Sequence, residues 1–156
     1  MVKVKNRYYV IRMLTNDGSQ PTPHKPTVFR EFMKLCAEMF GDFGYSILKI
    51  SLSIRVIDED VIVLRVAESG YKFFGAILPC VHKLDKQPMV LQTIFMGRSM
   101  RSCEKRLLKI RRDELHACLG KCTTQATRQS ILDALQRICG QSARIFTDEQ
   151  RRDQGF

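Results

Sequence analysis

The chain has 156 residues, 44% of them hydrophobic and 27% charged, and its 26 Lys and Arg against 16 Asp and Glu give a formal charge of +10. That length and composition exclude a disordered tail and fit one globular domain with a single core. The charge says nothing about fold, but it points to a polyanionic partner, either nucleic acid or an anionic membrane surface.

Val2–Leu14 reads as a strand, because Tyr8, Tyr9, Val10 and Ile11 are strand formers. Lys3, Lys5 and Arg7 alternate along it and share a face. The apolar stretch that follows these basic residues ends at Arg12, too early for a secretory signal. Residues 15–26 hold Asn16-Asp17-Gly18 and three prolines and read as a loop. Over 28–40, Val28, Phe32, Leu35 and Met39, with Phe29, Met33, Cys36 and Phe40, form a broad apolar stripe at helical spacing. Gly41 stands where a helix C-cap is wanted.

Leu48, Ile50, Leu52, Ile54 and Val56 alternate with Lys49, Ser51, Ser53 and Arg55, which predicts a half-buried strand. Asp58-Glu59-Asp60 is a turn, and 61–67 is the returning strand. Residues 69–81 read as a helix, with Ser69 as N-cap and Pro79 near the end. The apolar-rich run Phe73–Val81 is far short of the ~18–20 residues that cross a membrane. Residues 88–96 form a fourth strand, broken by Gly97. A long basic helix follows over 100–119, then another over 124–139 with Ile131, Leu132, Leu135 and Ile138 facing inward.

The order β-α-β-β-α-β matches a ferredoxin-like, RRM-like α+β sandwich with an antiparallel sheet, extended here by C-terminal helices. One sheet face is expected to take the helices and the other to stay open. Residues 1–140 are read as a single α+β domain and 141–156 as a polar, flexible tail.

The densest charge is Arg98, Arg101, Lys105, Arg106, Lys109, Arg111 and Arg112, interrupted only by Glu104. On a helix, 98, 101, 105, 109 and 112 fall three or four apart and share a face. Phosphate oxygens need several donors held in a line, and this face supplies them. A solvated face mixes signs to gain i,i+4 pairs, and this one does not. An interfacial membrane anchor would add a large apolar and aromatic face, which is missing here. Lys3, Lys5 and Arg7 form a smaller patch, explained as well by a charged edge strand.

The six cysteines contain no C-x-x-C pair. Cys36, Cys103, Cys118 and Cys139 fall on apolar stripes and read as reduced packing residues. His116, Cys118 and Cys122 lack a fourth ligand at zinc spacing. Neither a metal nor a cofactor is expected. The segment Gly70-Tyr71-Lys72-Phe73-Phe74-Gly75 echoes an RRM stacking motif but sits in a predicted helix, so its aromatics are assigned to the core. Gly41-Asp42-Phe43-Gly44 lies between a helix and a strand and reads as a turn. His24, His82 and His116 are scattered, and no nucleophile elbow, Walker loop or His-Glu metal motif occurs. No catalytic residue is assigned.

Four stretches in order carry a family resemblance. They are Val2-Lys3-Val4-Lys5-Asn6-Arg7-Tyr8, Gly41-Asp42-Phe43-Gly44, Ala76-Ile77-Leu78-Pro79 placed eleven residues after Arg65, and Gly97-Arg98-Ser99-Met100-Arg101-Ser102-Cys103-Glu104-Lys105 followed by Arg111-Arg112. Together the chain resembles the Pop-five subunit family of ribonuclease P and ribonuclease MRP. It departs from the family pattern in a shortened turn at 58–60 and in Arg98, where the family has a small residue.

The resemblance implies a noncatalytic protein of a ribonucleoprotein whose RNA removes the 5′ leader of precursor tRNA. It implies as partners the structured noncoding RNA of ribonuclease P or MRP, a TIM-barrel-like subunit of the Rpp-thirty type and the other proteins of the complex. It also implies a nuclear or nucleolar location if the source is a eukaryote. The residues alone leave a basic protein-interaction module, or a generic structured-RNA-binding protein, as the alternative.

Overall fold

A computed structural model describes residues 5–15, 23–58, 60–84, 87–122 and 124–141. The elements are β1 (Asn6–Thr15), α1 (Lys25–Ser51), β2 (Leu52–Asp58), β3 (Val61–Ala67), α2 (Tyr71–Ile77), β4 (Lys83–Leu84), β5 (Gln87–Gly97), α3 (Met100–Lys121) and α4 (Gln125–Gln141). A single 3-10 turn, Leu78–Cys80, extends α2. The chain divides into two compact units, Met1–Cys103 and Glu104–Phe156.

The first unit is the expected ferredoxin-like α+β sandwich. Its sheet runs β2-β3-β1-β5-β4, with every neighbouring pair antiparallel. β1 lies at the centre, pairing Tyr9 with Leu64 on one side and Met13 with Leu91 on the other. One sheet face carries Tyr9, Ile11, Ile62, Leu64 and Val66, packed against Val28, Phe32 and Cys36 of α1 and Phe74 and Ile77 of α2. Phe74 meets the rings of Tyr9 and Phe32 edge-on at 5.0 and 5.2 Å. Such T-shaped contacts match the positive ring edge to the negative face. Phe74 is fully buried and Phe73 packs on the margin of this core, as the sequence requires.

Three expectations are corrected. The predicted strand over 48–56 begins only at Leu52, because α1 continues past Gly41 to Ser51. Gly41 kinks the helix, with φ 63° and ψ −159°, a conformation that only glycine adopts freely. Beyond the kink Gly44, Leu48 and Ser51 are buried, at helical spacing, while Ile50 is 89% exposed. The alternation at 48 and 50 is therefore one inward and one outward position of a helix.

The second correction concerns the sheet face expected to be open. Val10, Val61 and Val63 project from that face, and each is at most 2% exposed. Val61-Ile62-Val63-Leu64 is an uninterrupted apolar run, which suits a strand buried on both sides. The third is that Ser69 caps nothing. The α2 N-cap is Gly70, without a side-chain hydrogen bond, and the helix spans only seven residues.

β4 is too short to leave a sequence signal. Cys36 and Cys103 are buried, whereas Cys118 is exposed. In α4, Leu132 is 39% exposed and Ile131 and Leu135 are half-buried, so none of these lies in a core. The side chains of Ile138 and Cys139, Lys3 and most of the 15–26 loop and the C-terminal tail lie outside the described residues.

Candidate nucleic-acid interface

The start of α3 is fixed by close packing. A Cβ on Gly97 would lie 2.5 Å from Ser102 Oγ and 2.8 Å from the Phe95 ring. A side chain at that position would push Ser102 or Phe95 aside. Ser99 then acts as the cap: its Oγ accepts from the Ser102 amide at 3.3 Å, and its carbonyl accepts from the Cys103 amide at 3.4 Å. Ser102 Oγ donates to the Ser99 carbonyl at 2.7 Å. Cys103 is buried, and its Sγ lies 3.9 Å from the Tyr8 carbonyl. Burial pushes this thiol's pKa up, offset in part by the Ser102 side chain and the Gly97 backbone. The thiol is thus a packing group, kept neutral.

From this anchor α3 runs without a break through Lys121. At 3.6 residues per turn, Arg101, Lys105, Lys109 and Arg112 project within an arc of roughly 80°, and Arg98 lies in the bend that leads into the helix. All five are exposed. Arg106 is exposed on one flank of that arc, and Arg111 is half-buried on the other. Among the described residues, none of Arg98, Arg101, Lys105, Arg106, Lys109 and Arg112 pairs with a carboxylate. A cavity of about 330 Å³ opens between Lys105, Leu108, Lys109, Arg112 and Asp113. Three cations therefore converge on one depression beside a single acid. A row of unpaired guanidinium and ammonium groups on a rigid helix is suited to consecutive phosphates.

The second basic patch is differently placed. Lys5 Nζ lies 3.9 Å from Glu68 Oε1, and the Lys5 carbonyl accepts from the Glu68 amide at 2.9 Å. The Arg7 guanidinium sits 5.9 Å from the centroid of the Tyr71 ring. Lys5 is thus placed beside Glu68, just after β3, and Arg7 beside Tyr71, the first residue of α2.

Sequence reasoning missed two features. One is an aromatic knob beside the α1 kink, where Phe73 meets Phe40 at 5.0 Å and Phe43, 72% exposed, at 6.1 Å. Reading Gly41 as a stop concealed it. The other is a 390 Å³ groove lined by Glu31, Lys34, Leu35 and Glu38 of α1 and by Cys80, His82 and Lys83. No spacing rule joins residues so far apart. Among the described residues no three of His, Cys, Asp and Glu gather to hold a metal ion. No described helix is long and apolar enough to cross a membrane.

The Rpp14/Pop5 family matches residues 7–108, about two thirds of the chain, which takes in the stretches at 41–44, 76–79 and 97–105 and only Arg7 and Tyr8 of the first stretch. The chain belongs to the Rpp14/Pop5 family. The resemblance read from the sequence is thereby borne out. Among relatives in this family, the bovine and human proteins named ribonuclease P/MRP protein subunit POP5 are each 24% identical over 146 residues. That alignment covers 89% of this chain and 86% and 90% of theirs. A Dictyostelium discoideum protein named a probable subunit of the same kind is 26% identical over 113 residues, 70% of this chain and 66% of its own. Among solved structures, a chain of yeast ribonuclease MRP aligns with a TM-score of 0.52 and 15% identity, covering 76% of this chain and 97% of that one. That likeness is one of fold. The family match ends at residue 108, so it includes Arg98, Arg101, Lys105 and Arg106 and stops short of Lys109, Arg111 and Arg112.

Proposed function

We propose that this chain is a noncatalytic, RNA-binding protein subunit of a ribonuclease P or MRP ribonucleoprotein. In this reading it holds the structured RNA that cleaves precursor tRNA, and its own residues make no bond and break none. The observation that carries the reading is the row of unpaired cations along α3, in a member of a family whose named relatives are subunits of that complex. RNA contact is assigned first to Arg98, Arg101, Lys105, Arg106, Lys109, Arg111 and Arg112. Lys3, Lys5 and Arg7 are a secondary contact. The recognition is of phosphates and helical shape, since such donors carry no base information. A TIM-barrel-like subunit of the Rpp-thirty type and the other proteins of the complex are the protein partners. The location in a eukaryote is the nucleus, with the nucleolus as the site of enrichment.

The test is to purify the full chain from its own cells and sequence the RNA that comes with it. One dominant structured noncoding RNA, with precursor-tRNA cleavage in the same fraction, is the expected result. Recovery of proteins without such an RNA would replace this reading with that of a basic protein-interaction module.

A further inference from the structure

The sheet has two edges, and they are not treated alike. At the β2 edge, Lys25 Nζ donates to the Arg55 carbonyl at 2.8 Å. The register shifts between Ile54 and Val56, and Arg55 and Asp58 put charge into the strand. A bulge, a capping lysine and charges are the usual defences of an exposed edge.

The β5 edge is less defended: it carries a register shift at Ile94, where Thr93 pairs with Ile11 and Phe95 with Val10, and Pro88 near its start, but no charge from Met89 to Met96. β4 covers only its first two residues, with Lys83 opposite Pro88 and Leu84 opposite Gln87. The Met89 amide points outward and donates to the His82 carbonyl at 2.9 Å. Because backbone direction alternates along a strand, the Leu91 and Thr93 amides point outward as well. Among the described residues no strand pairs with them on that side. From Met89 to Met96 there is no charge and no proline. Val90 and Met96 are 60% and 51% exposed. An uncharged strand with an open ladder is an aggregation hazard unless something occupies it.

We propose that a partner protein completes this edge with an extended segment that pairs with β5 over Leu91–Thr93, ahead of the bulge at Ile94, uncharged at its centre and acidic at its ends. Strand addition supplies main-chain hydrogen bonds, and the ends supply choice of partner. Charge decides against a second copy of this chain. Antiparallel pairing of two β5 strands would set Lys83 of each copy toward Arg98 of the other, on two molecules of charge +10. RNA is a poor occupant too, because the strand offers unpaired amides and no cation between Lys83 and Arg98 among the described residues. The inference does not depend on the RNA role assigned to α3.

The experiment compares amide hydrogen exchange in the tagged full-length chain, alone and in the assembly purified from its own cells. Leu91 and Thr93 amides are expected to exchange about tenfold or more slowly in the assembly, as a newly formed ladder requires. That protection should survive nuclease treatment, and carbodiimide should couple Lys83 to a partner carboxylate. Thr93→Pro removes an outward donor and leaves the inner ladder in place. Thr93→Lys keeps the backbone intact but charges the edge. Both should lower retention of the partner about tenfold, with Thr93→Lys melting near wild type. Equal exchange at Leu91 and Thr93 in the two samples overturns the proposal, as does a chain recovered with no protein partner. Protection that vanishes with nuclease would assign the edge to RNA. Protection that rises with concentration in the isolated chain would assign it to a second copy. Either result overturns the partner named here.

Discussion

At Gly70, a single hydrogen separates a folded sandwich from a steric clash. A Cβ there would collide with Ser51 Oγ and lie 2.8 Å from Ser51 Cβ. Ser51 is buried at the end of α1, its Oγ donating to the Leu48 carbonyl at 3.3 Å. The Gly70 backbone is ordinary, with φ −99°, so the demand for glycine is one of space and not of conformation. Gly70→Ala should therefore cost about 1–3 kcal/mol, the usual range for overpacking. Ser51→Ala in the same background should return part of that loss, because it removes the atom in the way. Gly75 is the control: nothing lies within 4 Å of its Cβ position, and it is exposed within α2. Gly75→Ala should stabilise by about 0.5–1 kcal/mol through helix propensity. Urea unfolding of the three variants and the wild type measures this. A Gly70→Ala protein as stable as wild type would mean that α2 and the end of α1 do not meet as closely as described.

At the scale of elements, the informative place is the junction of α1 and β2. A strand over 48–56 would bury Leu48 and Ile50 together. A helix through Ser51 buries Leu48 and leaves Ile50 outside. Leu48→Ala should accordingly cost about 2–5 kcal/mol, the range for a large-to-small change in a core. Ile50→Ala should stay within about 0.5 kcal/mol, as surface changes do. Equal losses at both positions would restore the strand. The alternation misled because i and i+2 in a helix also point apart, so five alternating residues contain no decisive count. Gly41 misled in the same direction, since glycine at positive φ serves a kink as well as a stop. Elsewhere the pattern was readable. The stripe from Val28 to Cys36 and the returning strand 61–67 appear where their periodicity puts them. The two-sided burial of β3 was written in its four consecutive apolar residues, although it was read as one-sided. The basic face of α3 was legible for a simple reason: exposed cations at three- and four-residue spacing need no tertiary information to be placed together. The ties of Lys5 to Glu68 and of Arg7 to Tyr71 did need it, because they join β1 to a segment some sixty residues away.

At the scale of the molecule, the question is whether a charge of +10 acts as a diffuse field or through one face. The two give different salt dependence. A diffuse field attracts RNA but is screened beyond about 8–10 Å at physiological salt. A face that neutralises individual phosphates releases counterions, and log affinity falls linearly with log salt. If about six phosphates are contacted, the slope should lie at roughly −4 to −5. Arg101→Glu with Lys105→Glu removes two contacts from the middle of the row, so the slope should become shallower by about 1.5–2. Both side chains are exposed, so the melt should stay near wild type. Arg30→Glu with Lys72→Glu makes the same change in net charge at exposed positions on α1 and α2. A diffuse field would respond to the two pairs alike, whereas a localised face responds only to the first. The measurement is a titration of the copurifying RNA at several salt concentrations for wild type and both double variants. Equal slopes for all three would remove α3 from the interface, even if the protein still bound RNA. Unequal slopes in the order stated would place individual phosphates along Arg101 and Lys105. The excess of charge would then be a consequence of that contact and not its cause.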